Sequence, residues 1–388
     1  MEVPSVAAYM GRRASHQGWT DHPITTDEVA PPAPVCEGPI KITPIQPTTT
    51  ATTLRETGEN VFACKFSPDG LYIAATYGNG AVRIFEDSTS LPLTCVHRFK
   101  AHQTYQASGT GTPAPEPQPV TSVKWRPHCP SNYELLTTES EGSVYQWTWN
   151  PQGKEGETHV EHLAKQLEKG NEPLCSEYSP DGNTFVTGGS DRVIRVYDTL
   201  SGRCQAMLTA GIDDMGKSRA THTNRIFSVR FVNPNVLISA GWESAIQVWD
   251  VRISKSIRQF GGTRVCGDSL DVNPNTTQVI VACYRPQSQI MLFDYLSGRE
   301  IPNRGIAKAL GESHLYGARL GADQRTLWCL GAKPNEVTVL DIQTGEVRAK
   351  VRDIHHSLFS IQLDPKNPNT RAVLGGFNDT LFMAELTQ

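Results

Sequence analysis

The sequence predicts an all-β chain built from seven repeated antiparallel units of four strands, and three observations carry that prediction. First, a short apolar strand ending in an apolar residue, large in all but the last copy, and a polar or acidic one recurs seven times, at Phe85-Glu86, Trp147-Thr148, Tyr197-Asp198, Trp249-Asp250, Phe293-Asp294, Leu340-Asp341 and Ala384-Glu385. Secondly, the copies stand 44 to 62 residues apart, the shortest spacing matching four strands with turns and the longest carrying insertions. Thirdly, 32 Gly and 26 Pro in 388 residues supply the turns that such a chain needs.

Each unit has the same internal order. An alternating strand comes first ("VFACKF", "VTSVKW", "PLCSEY", "IFSVRF", "LYGARL", "LFSIQL"), with "CGDSLDVNPN" as a looser fifth copy. A turn such as "SPDG" follows, where Pro, Asp and Gly set tight geometry. A second apolar strand ("LYIAAT", "TFVTGG", "VLISAG", "QVIVAC") leads through a short loop to the recurring third one. A fourth, such as "LTCVHRFKAH" or "GRCQAMLTAG", completes several units.

The pattern resembles the WD-repeat family of β-propellers over roughly residues 39 to 388, through its unit length, its "SPDG" turns and its "VWD" and "VYD" endings. The resemblance implies a single seven-bladed propeller and, within a blade, a hydrogen-bonded His, Ser/Thr, Asp and Trp set. His222, Ser239, Glu243 and Trp249 occupy those places in the fourth unit, with Glu243 departing from Asp; Thr187, Asp191 and Tyr197 fit in the third, which offers no His. The Trp-Asp dipeptide therefore reads as scaffold.

The ends explain closure. The last unit stops after its third strand, so a strand from about 40–55, "IKITPIQPTTTATTLR", rich in Ile and Thr, is expected to complete blade seven and remove the open edges. Residues 1–38 read as an extended or disordered arm, and 39–388 as the propeller. The segments "TGTPAPEPQP" at 110–119 and "DDMGKSRATH" at 213–222 read as inserted loops.

Composition narrows function. A net charge of -4 gives no reason to expect direct nucleic-acid binding, and no apolar run approaches the ~18 residues of a membrane span. The start shows no secretory pattern, and a cytoplasmic or nuclear setting, with a cytoskeletal one as the alternative, is the expectation. Nine scattered cysteines without a Cys-x-x-Cys pair read as buried reduced thiols. No catalytic motif occurs: "GESHL" matches a nucleophile elbow only at three positions and precedes a strand. His159 and His162 lack further metal ligands, and His355-His356 read as structural. No cofactor and no enzyme activity are expected.

The function expected is a non-catalytic scaffold presenting peptide or protein binding surfaces, a single propeller acting within a larger complex. Loops joining second to third strands and those leading into first strands converge on one propeller face, where Arg225, Trp242, Tyr284, Arg285, Tyr316 and Phe377 are the candidate binding residues. Two alternatives stand beside this reading. The box "LISAGWESAIQVWDVR", 237–252, resembles the docking motif of WD-repeat substrate receptors on cullin-RING ubiquitin ligases, with Asp250 and Arg252 as docking residues. The other is a cytoskeletal or ciliary component whose arm threads between neighbours.

Overall fold

The computed structural model describes residues 33–45, 60–88, 93–101, 118–128, 132–152, 158–159, 168, 170–209, 221–377 and 380–387. The bulk of both predicted insertions, residues 46–55 of the expected closing segment, and His162 lie outside the described residues. Seven antiparallel sheets are arranged as blades, each with its first strand innermost. The innermost strands are Val61–Phe66, Val120–Trp125, Pro173–Tyr178, Ile226–Asn233, Leu270–Val272, His314–Leu320 and Leu358–Leu363. Successive ones contact each other, which makes them the wall of a central channel.

Local chemistry makes the blades. In "SPDG", Ser67 Oγ donates to Asp69 at 2.6 Å, and Asp69 accepts the Leu71 N–H at 3.0 Å. The second copy repeats this, with Ser179 donating to Asp181 at 2.5 Å, and Gly70 and Gly182 take the left-handed conformation that ends the turn. Burial then follows the alternation: in blade three's innermost strand the pattern Pro173–Tyr178 has Cys175 and Tyr178 inside and Leu174 and Glu177 turned toward the channel.

The cores lie between blades. Trp249, 1% exposed, packs with Ile226, Val229 and Leu237 of blade four against Cys175, Val186, Val196 and Leu208 of blade three. Its recurrence at the end of third strands is thus a packing requirement, since each such ring fills the seam to the preceding blade.

Ring closure uses two short N-terminal strands. Ile40–Pro44 pairs with the last strand, Leu381–Leu386, over five positions from Ile40 opposite Leu386 to Pro44 opposite Phe382. Immediately before it, Val35–Glu37 pairs with Val347–Arg352 and becomes a fifth strand of blade six. The last part of the expected arm is thus extended along a sheet: the free edge of blade six offers unpaired backbone groups, and Val35–Glu37 satisfy them. Gly38, with φ +77°, turns the chain between the two blades, and a Cβ there would meet the Arg348 carbonyl oxygen at 2.7 Å. On the other side of the seam Arg371 of blade seven binds both carboxylate oxygens of Asp87 at 2.6 Å and reaches Asp364 at 3.0 Å.

The only described helix, Arg304–Leu310, lies between blades five and six, and no helix among the described residues is long and apolar enough to cross a membrane. Eight cysteines among the described residues are free thiols. Cys64, Cys175, Cys283 and Cys329 are buried as expected of small apolar residues, but Cys36 is exposed on the added edge strand.

Candidate binding funnel at the channel mouth

One structural irregularity builds the site. In six of the seven blades the innermost strand carries a β-bulge after its first residue or two, and the residue left unpaired is Phe62, Thr121, Leu174, Phe227, Tyr316 or Phe359. A bulge kinks the strand and re-aims the extra side chain. All six line a cavity of about 300 Å3 at one mouth of the channel.

A second set comes from the loops between second and third strands. The first loop residue donates its N–H to a carbonyl in the segment leading into the same blade's innermost strand: Trp242 to Arg225 at 3.1 Å, Phe377 to Ser357 at 2.9 Å, Ser190 to Glu172 at 3.1 Å, Ser140 to Pro119 at 3.0 Å and Gly78 to Asn60 at 3.0 Å. Tyr284 makes the matching bond to Arg264 at 2.7 Å. The bond requires close approach of two backbones, so a Cβ on the preceding Gly241 would stand 1.9 Å from the Arg225 oxygen. Position for position, blades one to three put Gly, Ser and Ser here, whereas blades four, five and seven put Trp, Tyr and Phe.

The two sets meet as an arc of rings. Trp242 lies 6.0 Å from Tyr284, Tyr284 5.1 Å from Tyr316, and Tyr316 5.3 Å, edge-on, from Phe359. Phe359 lies 6.4 Å from Phe377, which is 40% exposed and lies tilted against His356 at 5.7 Å. The structure therefore brings together Trp242, Tyr284, Tyr316 and Phe377. Arg225 and Arg285 sit on the same loops but are held by other groups, Arg225 by Glu172 at 3.1 Å and Arg285 by the Gly262 and Ser288 carbonyls. His355 and His356 lie at this rim, ring against ring at 4.4 Å.

Below the rings the channel is closed by a charged mesh. Lys65 and Arg319 face Asp268 Oδ2 at 2.7 and 2.5 Å, and Arg230 faces Oδ1 at 2.9 Å. Arg230 also pairs with Glu177, which holds Lys124 at 2.8 Å. Burial alone would raise the Asp268 carboxyl, but Arg230, Arg319 and Lys65 override it and hold the group well below the usual carboxylate range. Burial pushes the Lys65 ammonium down to about 8. Beyond the mesh, Glu177, Arg230, Asp271 and Arg319 line a polar cup of about 510 Å3 at the opposite mouth.

Sequence reasoning missed the bulged Phe62, Phe227 and Phe359 and the whole mesh. Part of the signal was available: the three Phe hold the second place of the first-strand motif, and Lys65, Lys124, Glu177, Arg230 and Arg319 its fifth, whereas Asp268 lies in the loose copy "CGDSLDVNPN".

The residues expected in the blade-internal sets are placed as follows. In blade four, His222 Nε2 lies 2.6 Å from Ser239 Oγ, Trp249 Nε1 donates to Ser239 at 2.8 Å, and His222 Nδ1 meets Glu243. The longer Glu243 side chain reaches Thr223 as well, so the network is complete despite the missing Asp. In blade three a buried carboxylate substitutes for His: Glu168 accepts from Thr187 at 2.5 Å, Tyr197 at 2.7 Å and Asn171 at 2.6 Å, while Arg195 joins it to Asp191. Replacing Glu168 with Ala should leave those donors buried and unpaired and cost about 3 kcal/mol or more, read by chemical denaturation, with Glu168→Gln recovering part of it. Asp250 and Arg252 pair with each other at 2.7 Å at the end of blade four's third strand, where Arg252 is largely exposed.

Seven antiparallel blades, six of four strands and one of five, around a channel crossed by ion pairs and rimmed by aromatic rings define a β-propeller interaction scaffold. The family model "WD domain, G-beta repeat" matches residues 48–86 and 168–198, so the chain carries WD repeats and folds as a seven-bladed propeller. It is 23% identical over 140 residues to the Ribosome biogenesis protein WDR12 homolog of Drosophila virilis, covering 35% of this chain and 32% of that protein. It is 27% identical over 163 residues to the Periodic tryptophan protein 2 homolog of Dictyostelium discoideum, 41% of this chain and 14% of that one. Similarity to the THO complex subunit 6 homolog of Danio rerio runs over 209 residues at 23% identity, 51% of this chain and 55% of that protein. The chain thus matches about a third or less of the length of the first two relatives.

Proposed function

We propose that this chain is a non-catalytic scaffold that holds a segment of a partner protein in the aromatic funnel. The observation that carries the reading is the convergence of two independent sets of side chains, bulged residues and loop aromatics, on one cavity. Either set alone is ordinary packing; together they leave an apolar concavity at a channel mouth, the geometry that admits an inserted side chain. Large rings with few rotamers bind at low entropic cost and dominate interface energies. The names of the relatives, a ribosome biogenesis protein and a complex subunit, favour action within an assembly, and the first favours a nuclear setting.

The test is truncation of one ring. Trp242 is only partly buried, against Tyr284 on the neighbouring blade and under the Arg264 guanidinium at 5.1 Å. Trp242→Ala should weaken partner capture by about 2 kcal/mol, roughly thirtyfold, while the thermal midpoint moves only a few degrees. Unchanged capture by a folded variant would retire the funnel as the binding site.

A further inference from the structure

We propose that the funnel takes a peptide segment bearing a carboxylate beside an aromatic or aliphatic side chain, with the carboxylate directed at the cations of the channel floor. This rests on the funnel being the partner-binding site and specifies its ligand.

Aromatic walls by themselves would suit a cation as readily as an apolar group. The floor decides between them. Four cations, Lys65, Lys124, Arg230 and Arg319, converge there on two carboxylates, Glu177 and Asp268. A third carboxylate, Asp271, lines the opposite cup and accepts the Leu320 N–H at 2.8 Å, and the mesh still carries an excess of positive charge. Lys333, exposed on the rim, adds another cation to the same cavity. Interactions between whole charges in a partly desolvated site exceed those of a cation with a ring face, so an incoming cation is opposed and an incoming anion is drawn in. The largest ring is also occupied already, because the Arg264 guanidinium lies over Trp242. The lowered Lys65 ammonium agrees: burial is the main cause, Asp268 opposes it only in part, and Lys124, Arg319 and Arg230 push it further down. An anion placed beside Lys65 would oppose both effects.

The carboxylate has two sources, an acidic side chain or the end of a chain, and the test separates them. Fluorescent nonapeptide pools share a fixed Leu-Phe pair and randomised remaining positions, and the residue after the pair is Glu, Gln or Lys; a fourth pool ends at the Phe with a free carboxylate. Binding to the full chain is read by anisotropy. The Glu pool, the free-carboxylate pool or both should bind at least tenfold tighter than the Gln pool, and the Lys pool should bind most weakly. The Glu pool alone assigns the site to side chains, the free-end pool alone to chain termini, and either supports the proposal. Lys333→Glu, at an exposed position that does not endanger folding, should narrow the preference. A Lys pool that binds as tightly as the Glu pool, or no binding by any pool, overturns the proposal. If partner capture is still lost in Trp242→Ala, the funnel survives that failure. Acidic binding that ignores Trp242→Ala overturns both readings.

Discussion

Removal of residues 1–45 is expected to abolish cooperative unfolding, whereas removal of residues 1–38 should leave a ring that melts only a few degrees lower. Seven residues separate the two truncations, and they carry the closure. Ile40–Pro44 supplies the outer strand of blade seven, and without it Leu381–Leu386 becomes an open edge. Ile40, 5% exposed, packs in the core between blades six and seven, and Ile45, 3% exposed, in the core between seven and one. Burying two such side chains stabilises by about 3 to 6 kcal/mol, and the lost ladder hydrogen bonds add about 1 kcal/mol each. That sum is comparable to the whole margin of a typical domain, about 5 to 15 kcal/mol. Val35–Glu37, by contrast, is exposed at all three positions. Circular dichroism melts of both truncations decide the matter, and equal midpoints would contradict closure by Ile40–Pro44.

Replacing Arg230 by Ala should cost about 3 to 5 kcal/mol, because it removes a charge-assisted hydrogen bond from each of two partly buried carboxylates, leaving Glu177 with Lys124 and Asp268 with Lys65 and Arg319. Arg230→Lys should restore little, since a compact ammonium lacks the planar fork by which Arg230 reaches carboxylates on two different blades. The pH dependence has a definite sign. Asp268 is held well below its ordinary value in the folded chain. Its contribution is therefore present above the unfolded value, near 4, and fades as pH falls through the folded one. The deficit of Arg230→Ala relative to the wild type should shrink on acidification below about pH 4. Urea denaturation at pH 7 and pH 3 measures it, and a deficit that grew at low pH would contradict the charged-mesh account.

The fold was legible because propeller blades are local: each strand pairs with its sequence neighbour, so the alternation of "VFACKF" and the Ser-Pro-Asp-Gly turn carry nearly all the topology. The fifth strand of blade six was not legible, since Val35-Cys36-Glu37 has no periodicity of its own and is selected by an edge some 310 residues away. The candidate site divides the same way. Trp242, Tyr284 and Phe377 stand at a recognisable loop position. Phe62, Phe227 and Phe359 looked like core alternation, and only the bulge, a property of strand pairing, turns them into the channel mouth. Glu168 was hidden for a related reason: the carboxylate that replaces His in blade three sits 19 residues before Thr187, in a segment without pattern.

The claim that the aromatic funnel is the partner-binding surface is tested most directly by photocrosslinking in cells. A photoreactive phenylalanine analogue would replace Trp242 or Tyr284 in the funnel and, in a second set, Leu200, which is 75% exposed on the turn between the two outer strands of blade three. The account predicts that both funnel positions crosslink to one and the same partner protein and that the Leu200 position does not. Crosslinks to that partner from Leu200, with none from Trp242 or Tyr284, would contradict it.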